Sequence, residues 1–403
     1  MNAERQARAV WTVIAEPGDL VAGELVSWVG GDRALRWVRS VRAGRADWSL
    51  LVDESGLTLS PQVRRGLVTR AQTWAQRLEA ASAALDVAVA MGVDVVVPGD
   101  PHWPAGLDDL ATAAPHALWL RGSLGPPPVT TAGSVALVGS RSCTAYGERT
   151  ATELADALAA RGAVVVSGGA YGIDAAVHRG ALSSGVTWAV VAGGPDRDYP
   201  AGHRRLFRQV VDDGGALLGE APPGAVPARH RFLQRNRLIA ALTAGTVVVE
   251  AAWRSGALST ANHAAGLLRP VGAVPGPVTS PASAGCHRLM REGAAVCVTD
   301  ADEVVELIGL ADVRVGDQRA VATTPADGLD TVARAVHQAL SARTTRTPAE
   351  LVERTGGSLS AVRASLGRLD LAGLVVRDGE GWRAVAIGAA PGAQRHSAGA
   401  AQH

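Results

Sequence analysis

Four glycine- or serine-rich turns, each at the end of an apolar run, are where this sequence could do chemistry. They are Gly139-Ser140-Arg141 after VALV, Ser167-Gly168-Gly169 after AVVV, Gly193-Gly194-Pro195 after WAVVA, and Arg254-Ser255-Gly256 after VVVEA. A strand running through such a turn into a helix leaves backbone N–H groups unpaired and pointing one way, which makes an anion site. The stretch Ala163–Asp174, AVVVSGGAYGID, is the fullest example, with a helix expected to open near Tyr171-Gly172. One glycine turn is a requirement of any α/β sheet. Four of them, two with an arginine beside a serine, point to a ligand carrying several negative groups.

The cations available to such a ligand are all of one kind. All 39 basic residues are arginine, so every cationic contact is a planar, permanently charged guanidinium suited to phosphate. The net charge is only +1, so any case for an anionic partner rests on local density. Arg197, Arg204, Arg205, Arg208, Arg229, Arg231, Arg235 and Arg237 cluster against the carboxylates of Asp196, Asp198, Asp212, Asp213 and Glu220. Arg235-Asn236-Arg237 stands directly before the apolar Leu238-Ile239-Ala240 on a predicted helix, and guanidiniums flanking an amide suit phosphate or carboxylate. Tyr146, Tyr171 and Tyr199 lie near the same glycine turns. Single-stranded nucleic acid asks for this mixture, because bases stack on aromatics while guanidiniums neutralise phosphates.

Catalysis and cofactors find less support. Asp174, Glu220 and Glu250 fall near predicted strand ends, but no histidine or cysteine pairs with them in sequence, and Asp174 can serve its own turn. Cys143, Cys286 and Cys297 fit neither a metal spacing nor a disulfide framework. With no signal peptide and no apolar run long enough to span a membrane, a cytoplasmic chain with reduced thiols and no metal is expected. The G-x-G-x-x-G spacing is absent and no acid closes the second strand, so a bound NAD or other cofactor is not expected.

Periodicity supplies the elements that position these turns. From Ser134 to about Gly309, strand candidates Val135–Gly139, Val164–Ser167, Trp188–Ala192, Ala216–Gly219, Thr246–Glu250, Val271–Val274 and Ala295–Val298 alternate with segments of helical spacing such as Leu154/Leu158 and Leu238/Leu242. Continuous apolar strands alternating with helices predict an α/β fold, an extended Rossmann-like parallel sheet covered on both faces, with ligands beyond the C-terminal strand ends. Residues 1–90, with apolar positions such as Trp74, Leu78, Ala81 and Leu85, predict a helical domain whose tryptophans are core. Val93–Val97 and Ala117–Arg121 are short strand candidates, followed by a linker at Gly125-Pro126-Pro127-Pro128. A second linker is expected over 311–328. Residues 329–387 predict a winged helix: a helix over Leu329–Leu340, a second opened by Thr347-Pro348, and a third with Leu359, Val362, Leu366 and Leu369 on one face. A hairpin turning at Arg377-Asp378-Gly379 completes it. The Ala/Gly/His tail, 388–403, is expected to be disordered.

In this order and spacing, GSR, SGGAYGID, YP, RNRLIAALT, VVVEA-x-x-RSGALSTA, AVPG and GCHRLMREGA resemble the DNA-processing protein A family (DprA, also called Smf) across 93–310. The resemblance implies an extended Rossmann domain that dimerises, binds single-stranded DNA and loads a recombinase onto it in natural transformation. It also implies a sterile-alpha-motif-like helical domain before and a winged helix after. Carried over by position, it puts Ser140, Arg141, Ser167, Gly168, Gly169, Tyr171, Gly172, Arg235, Asn236, Arg237, Ser255 and Gly256 at the DNA groove, with Arg197 in place of a lysine of relatives. Tyr171 stands where the family usually has arginine, and is expected to stack a base. His203 stands where it usually has asparagine. Two other functions fit parts of the sequence. One is a Rossmann-type nucleoside-monophosphate glycosidase using Glu250 and the Ser255-Gly256 loop, although its P-G-G-x-G-T-x-x-E pattern is missing. The other is a transcription regulator acting through the winged helix, whose third helix carries only Arg363 and Arg368 as cations.

Overall fold

A computed structural model of the chain describes residues 3–51, 59–127, 129–310, 331–341 and 344–385, and the chain divides into compact units at Arg314/Val315. The expected linker at 311–328 and tail at 388–403 lie outside the described residues.

The first unit opens with helices α1 (Ala3–Ile14), α2 (Leu20–Val29), α3 (Gly31–Arg42), α4 (Pro61–Ala75) and α5 (Leu78–Ala90). Trp11, Trp37 and Trp74 are fully buried among them, and Trp11 meets Trp74 edge-on at 5.1 Å between centroids. These tryptophans are core, as their helical spacing predicts. The layer is not free-standing. Ala9 and Ala88 join Val93, Val95, Val97, Ala117 and Trp119 in one apolar cluster, and Trp119 Nε1 donates to Thr12 Oγ1 at 3.0 Å.

Among the described residues the sheet has nine strands, in the order β1-β2-β6-β5-β4-β3-β7-β8-β9. They are β1 (Asp94–Val96), β2 (Leu118–Gly122), β3 (Ser134–Gly139), β4 (Val164–Gly168), β5 (Thr187–Val191), β6 (Ala216–Gly219), β7 (Gly245–Glu250), β8 (Val271–Ala273) and β9 (Val296–Cys297). Strands β3 to β9 are parallel, and β1 and β2 add an antiparallel edge against β6. The sheet is therefore mixed at one end rather than parallel throughout. An apolar run signals a strand but not its direction.

Connecting helices are α6 (Ala145–Ala160), α7 (Ile173–Ala181), α8 (Arg204–Asp212), α9 (Arg229–Ala241), α10 (Ala257–Gly266), α11 (Ala284–Arg291) and α12 (Ala301–Ile308). Along β3, Val135 and Leu137 join the core on one face while Ala136 and Val138 join the core on the other, the period of two that a doubly covered strand requires. Chain order reverses between β4-β3 and β3-β7. That places the switch point, and the crevice such sheets offer to ligands, at the C-terminal ends of β3 and β7.

The second unit is a winged helix: α13 (Thr331–Ala339), α14 (Pro348–Thr355), α15 (Leu359–Leu371) and the hairpin β10 (Val375–Asp378) and β11 (Gly381–Ala384). Thr347 and Glu350 close a capping box at the start of α14, with Pro348 at its first turn. Val362, Leu366 and Leu369 are buried with Val336 and Leu351, whereas Leu359, at the first position of α15, is exposed. Among the described residues no helix is long and apolar enough to cross a membrane.

Candidate nucleic-acid interface

An open basin of about 710 Å³ lies at the switch point. Its walls come from the turn after β3 (Gly139, Ser140, Arg141), the turn after β7 (Arg254, Ser255, Gly256) and one face of α9 (Arg229, Phe232, Arg235, Asn236). Arg141, Arg229 and Arg254 are exposed and have no ion pair with a carboxylate among the described residues. The Arg141 guanidinium lies over the Phe232 ring, 4.7 Å from its centroid, and Phe232 in turn meets Tyr199 at 6.0 Å. The α10 N-terminus opens on the same space without an acidic residue in its first turn. Cationic forks, a stacking surface and a helix N-terminus in one crevice suit a polyanion with flat bases.

Helix α9 separates the residues that sequence grouped together. Positions 229, 232, 233 and 236 recur at the helical spacing and face the basin, and Asn236 Nδ2 donates to the Gly256 carbonyl at 3.2 Å. Residues two apart on a helix do not share a face. Arg237 accordingly points away from the basin: its terminal nitrogens hold both Glu220 oxygens at 2.7 Å, and its Nε donates to the Ala113 carbonyl at 2.9 Å. Arg237 is a buried, ion-paired cation and is not among the residues that line the basin. On that same rear face His230 and Arg231 reach Glu16 of the helical layer at 3.2 and 3.0 Å. Burial works to raise the Glu16 pKa, but bonds from His230 and the charge of Arg231 outweigh it and hold the carboxyl below its usual range.

Of the glycine stretch after β4, Ala170 and Asp174 line the basin and Gly169 the adjoining recess, while the glycines themselves make room for neighbouring groups. Ser167 is fully buried and donates to the Leu137 carbonyl at 2.7 Å. A Cβ on Gly168 would strike Arg235 and Asp174, and one on Gly169 would strike the Phe207 ring. Gly172 has φ +77°, and a Cβ there would meet the Ser140 carbonyl at 2.3 Å, so only glycine lets this turn press against Ser140-Arg141. The Ile173 amide at the start of α7 donates to the Ser140 carbonyl at 3.0 Å and is spent there. Asp174 lies at the basin floor with Arg235, whose Nη1 donates to the Val190 carbonyl at 2.9 Å. Burial pushes the Asp174 pKa up, with Arg235 opposing.

Tyr171 is half exposed, stands edge-on against His203 at 4.6 Å, and is not among the residues lining the basin. His203 is itself buried, and its Nδ1 lies 3.2 Å from the Gly169 carbonyl, so the loop keeps a bond to the glycine turn although it lacks the usual asparagine. Arg197 borders a small adjoining recess beside Tyr199 and Phe232, 3.9 Å from Asp196. Phe232 lines the basin without having been named from the sequence, and Arg229 was named there only as one of a cluster of arginines. Their spacing of three and six residues before Arg235 was the available signal.

Glu250 faces the other way. Its Oε1 accepts from the Thr144 hydroxyl at 2.7 Å and its Oε2 from the Thr144 amide at 2.8 Å, while Thr144 caps α6. The carboxylate is buried and does not line the basin.

His178 bridges the glycine turn to β5, with Nε2 2.8 Å from the Gly168 carbonyl and Nδ1 2.8 Å from Thr187 Oγ1. Burial pushes its pKa down to about 4, and does the same to His116 beside Trp11. At neutral pH burial favours the neutral form of each ring in the folded state, whereas the unfolded chain takes up a proton on each near its ordinary value of 6.5. Their contribution is therefore complete above that pH and is lost as pH falls toward about 4, by up to about 3 kcal/mol per ring. Urea unfolding between neutral pH and about pH 5 is expected to show the loss, with a shallower slope in His178→Gln. An equal slope in that variant would remove His178 from the account.

The family model described as DNA recombination-mediator protein A matches residues 94–309, more than half of the chain. The chain belongs to this family. The recombination-mediator match covers every wall of the basin, and the DprA winged helix domain matches 320–381. Within the DNA recombination-mediator protein A family, a Mycobacterium tuberculosis relative described as a DNA processing protein DprA is 44% identical over 355 residues, covering 84% of this chain and 90% of that one. Protein Smf of Escherichia coli is 41% identical over 196 residues, 48% of this chain and 51% of its own. The solved structure of DNA processing protein A from Streptococcus pneumoniae superposes with a TM-score of 0.54 at 30% identity, covering 71% of this chain and 95% of that one.

Proposed function

We propose that this chain is a non-catalytic binding protein that holds single-stranded DNA in the switch-point basin and delivers it to a recombinase, as a dimer in the cytoplasm. The carrying observation is the convergence on one basin of Arg141, Arg229 and Arg254, none in an ion pair with a carboxylate among the described residues, with the Phe232 ring beneath Arg141. Membership of a DNA recombination-mediator family supports the same reading. Ser140, Ser255, Gly256 and Asn236 shape the walls, and Arg235 is buried in the floor beneath Gly168. Against the glycosidase reading, Glu250 is buried, accepts from Thr144 and does not line the basin.

The test is a fluorescence-anisotropy titration of single- and double-stranded oligonucleotides at two salt concentrations. The single strand is expected to bind more tightly, with affinity falling steeply as salt rises. Phe232→Ala should weaken it by about tenfold with an unchanged salt slope, since stacking carries no counterion release. Equal affinity for duplex and single strand, or binding indifferent to salt, overturns the reading. Release of free base from a nucleotide panel, abolished by Glu250→Gln, would establish the glycosidase instead.

A further inference from the structure

We propose that Trp253, with Arg288 against its ring, is a second base-stacking subsite that carries the DNA strand out of the basin across the turn between β7 and α10. The proposal rests on the basin being a single-stranded DNA site. Trp253 is 50% exposed, whereas Trp11, Trp37, Trp74 and Trp119 are fully buried. Nothing in the core explains its place. Its immediate neighbours Ala252 and Arg254 both line the basin, whereas the indole turns out of it toward α11, one residue along the chain from a guanidinium that has no ion pair with a carboxylate among the described residues.

The ring is also pre-positioned. The Arg288 guanidinium lies 4.9 Å from the ring centroid, and its Nη1 donates to the Trp253 carbonyl at 3.4 Å. The Arg288 side chain is only 25% exposed and reaches the Glu292 carboxylate at 4.0 Å, so it is held from α11. One face of the indole is therefore covered by a fixed cation, and the exposed area falls on the rest of the ring. An arginine on one face of an aromatic ring and a base on the other is a favourable stack. Glu292 faces the Arg288 guanidinium only at the outer limit of ion-pair distance, so the platform is assigned to stacking, and any phosphate contact would read as a change in salt slope. Its contribution should be insensitive to salt.

The experiment compares full-length wild type, Trp253→Ala, Trp253→Phe and Arg141→Ala on oligothymidylates of increasing length. Trp253→Ala is expected to bind a short oligomer confined to the basin as wild type does, and to bind one about three times longer about fivefold more weakly, at an unchanged salt slope. Trp253→Phe should restore the affinity while losing part of the tryptophan quenching that DNA causes. Wild-type affinity of Trp253→Ala at every length, with Arg141→Ala weakened, overturns the subsite and leaves the basin standing. Equal weakening at every length, or a changed molar mass of Trp253→Ala by light scattering, also overturns it. If Arg141→Ala binds normally as well, the basin itself is the failure.

Discussion

Replacing Arg237 by alanine is expected to lower the unfolding free energy by about 3–5 kcal/mol while leaving the DNA affinity of the folded protein intact. The Arg237 and Glu220 side chains are 3% and 8% exposed and meet through both guanidinium nitrogens. Truncation leaves a buried carboxylate without its counter-charge and the Ala113 carbonyl without its donor. The pair also ties the end of β6 to α9, and the Gly18 amide approaches the same Glu220 at 3.4 Å, so the loss reaches the helical layer. Urea denaturation reads the stability, and anisotropy at a temperature where the variant is folded reads the affinity. Adding Glu220→Gln should recover part of the loss by removing the stranded charge. A variant of normal stability with weakened DNA binding would return Arg237 to the groove.

Removing Arg141, Arg229 and Arg254 together is expected to do the opposite. All three are exposed, so folding should change little, whereas single-strand affinity at physiological salt should fall by about a hundredfold or more. The slope of log affinity against log salt should shrink by about two, at roughly 0.7 for each phosphate of a single strand that is no longer neutralised. Each arginine alone should contribute about a third of that change. An unchanged slope in the triple variant would show that the phosphates run elsewhere, for instance along Arg205 and Arg208.

These outcomes divide according to what a linear pattern can carry. The strands from Val135 to Val298 were legible because a doubly covered sheet demands unbroken β-branched runs, and the turns at 139–141 and 254–256 because a strand entering a helix demands glycine or serine. The winged helix was legible from its caps and its hairpin turn. The family could be named from motif order alone. The roles of single residues within those motifs could not. Arg235 and Arg237 are alike in sequence and opposite in space, because two helical steps turn a side chain well past a right angle. Gly168, Gly169 and Gly172 resemble a phosphate cradle in sequence. Yet each of them is glycine because Arg235, Phe207 or the Ser140 carbonyl occupies the space of a side chain.

What the sequence determined by itself was therefore the α/β sheet, its helical and winged-helix flanks, and a cation-rich crevice at the strand ends, since periodicity and turn chemistry are local. Only the tertiary structure decided which cations face that crevice. Whether a guanidinium meets solvent or a buried carboxylate depends on what another element brings against it: Glu220 at the end of β6 consumes Arg237, and Thr144 at the cap of α6 consumes Glu250. Among the described residues no carboxylate comes within ion-pair distance of Arg141, Arg229 or Arg254, although Asp174 shares the basin with them, and that leaves their guanidiniums for a ligand.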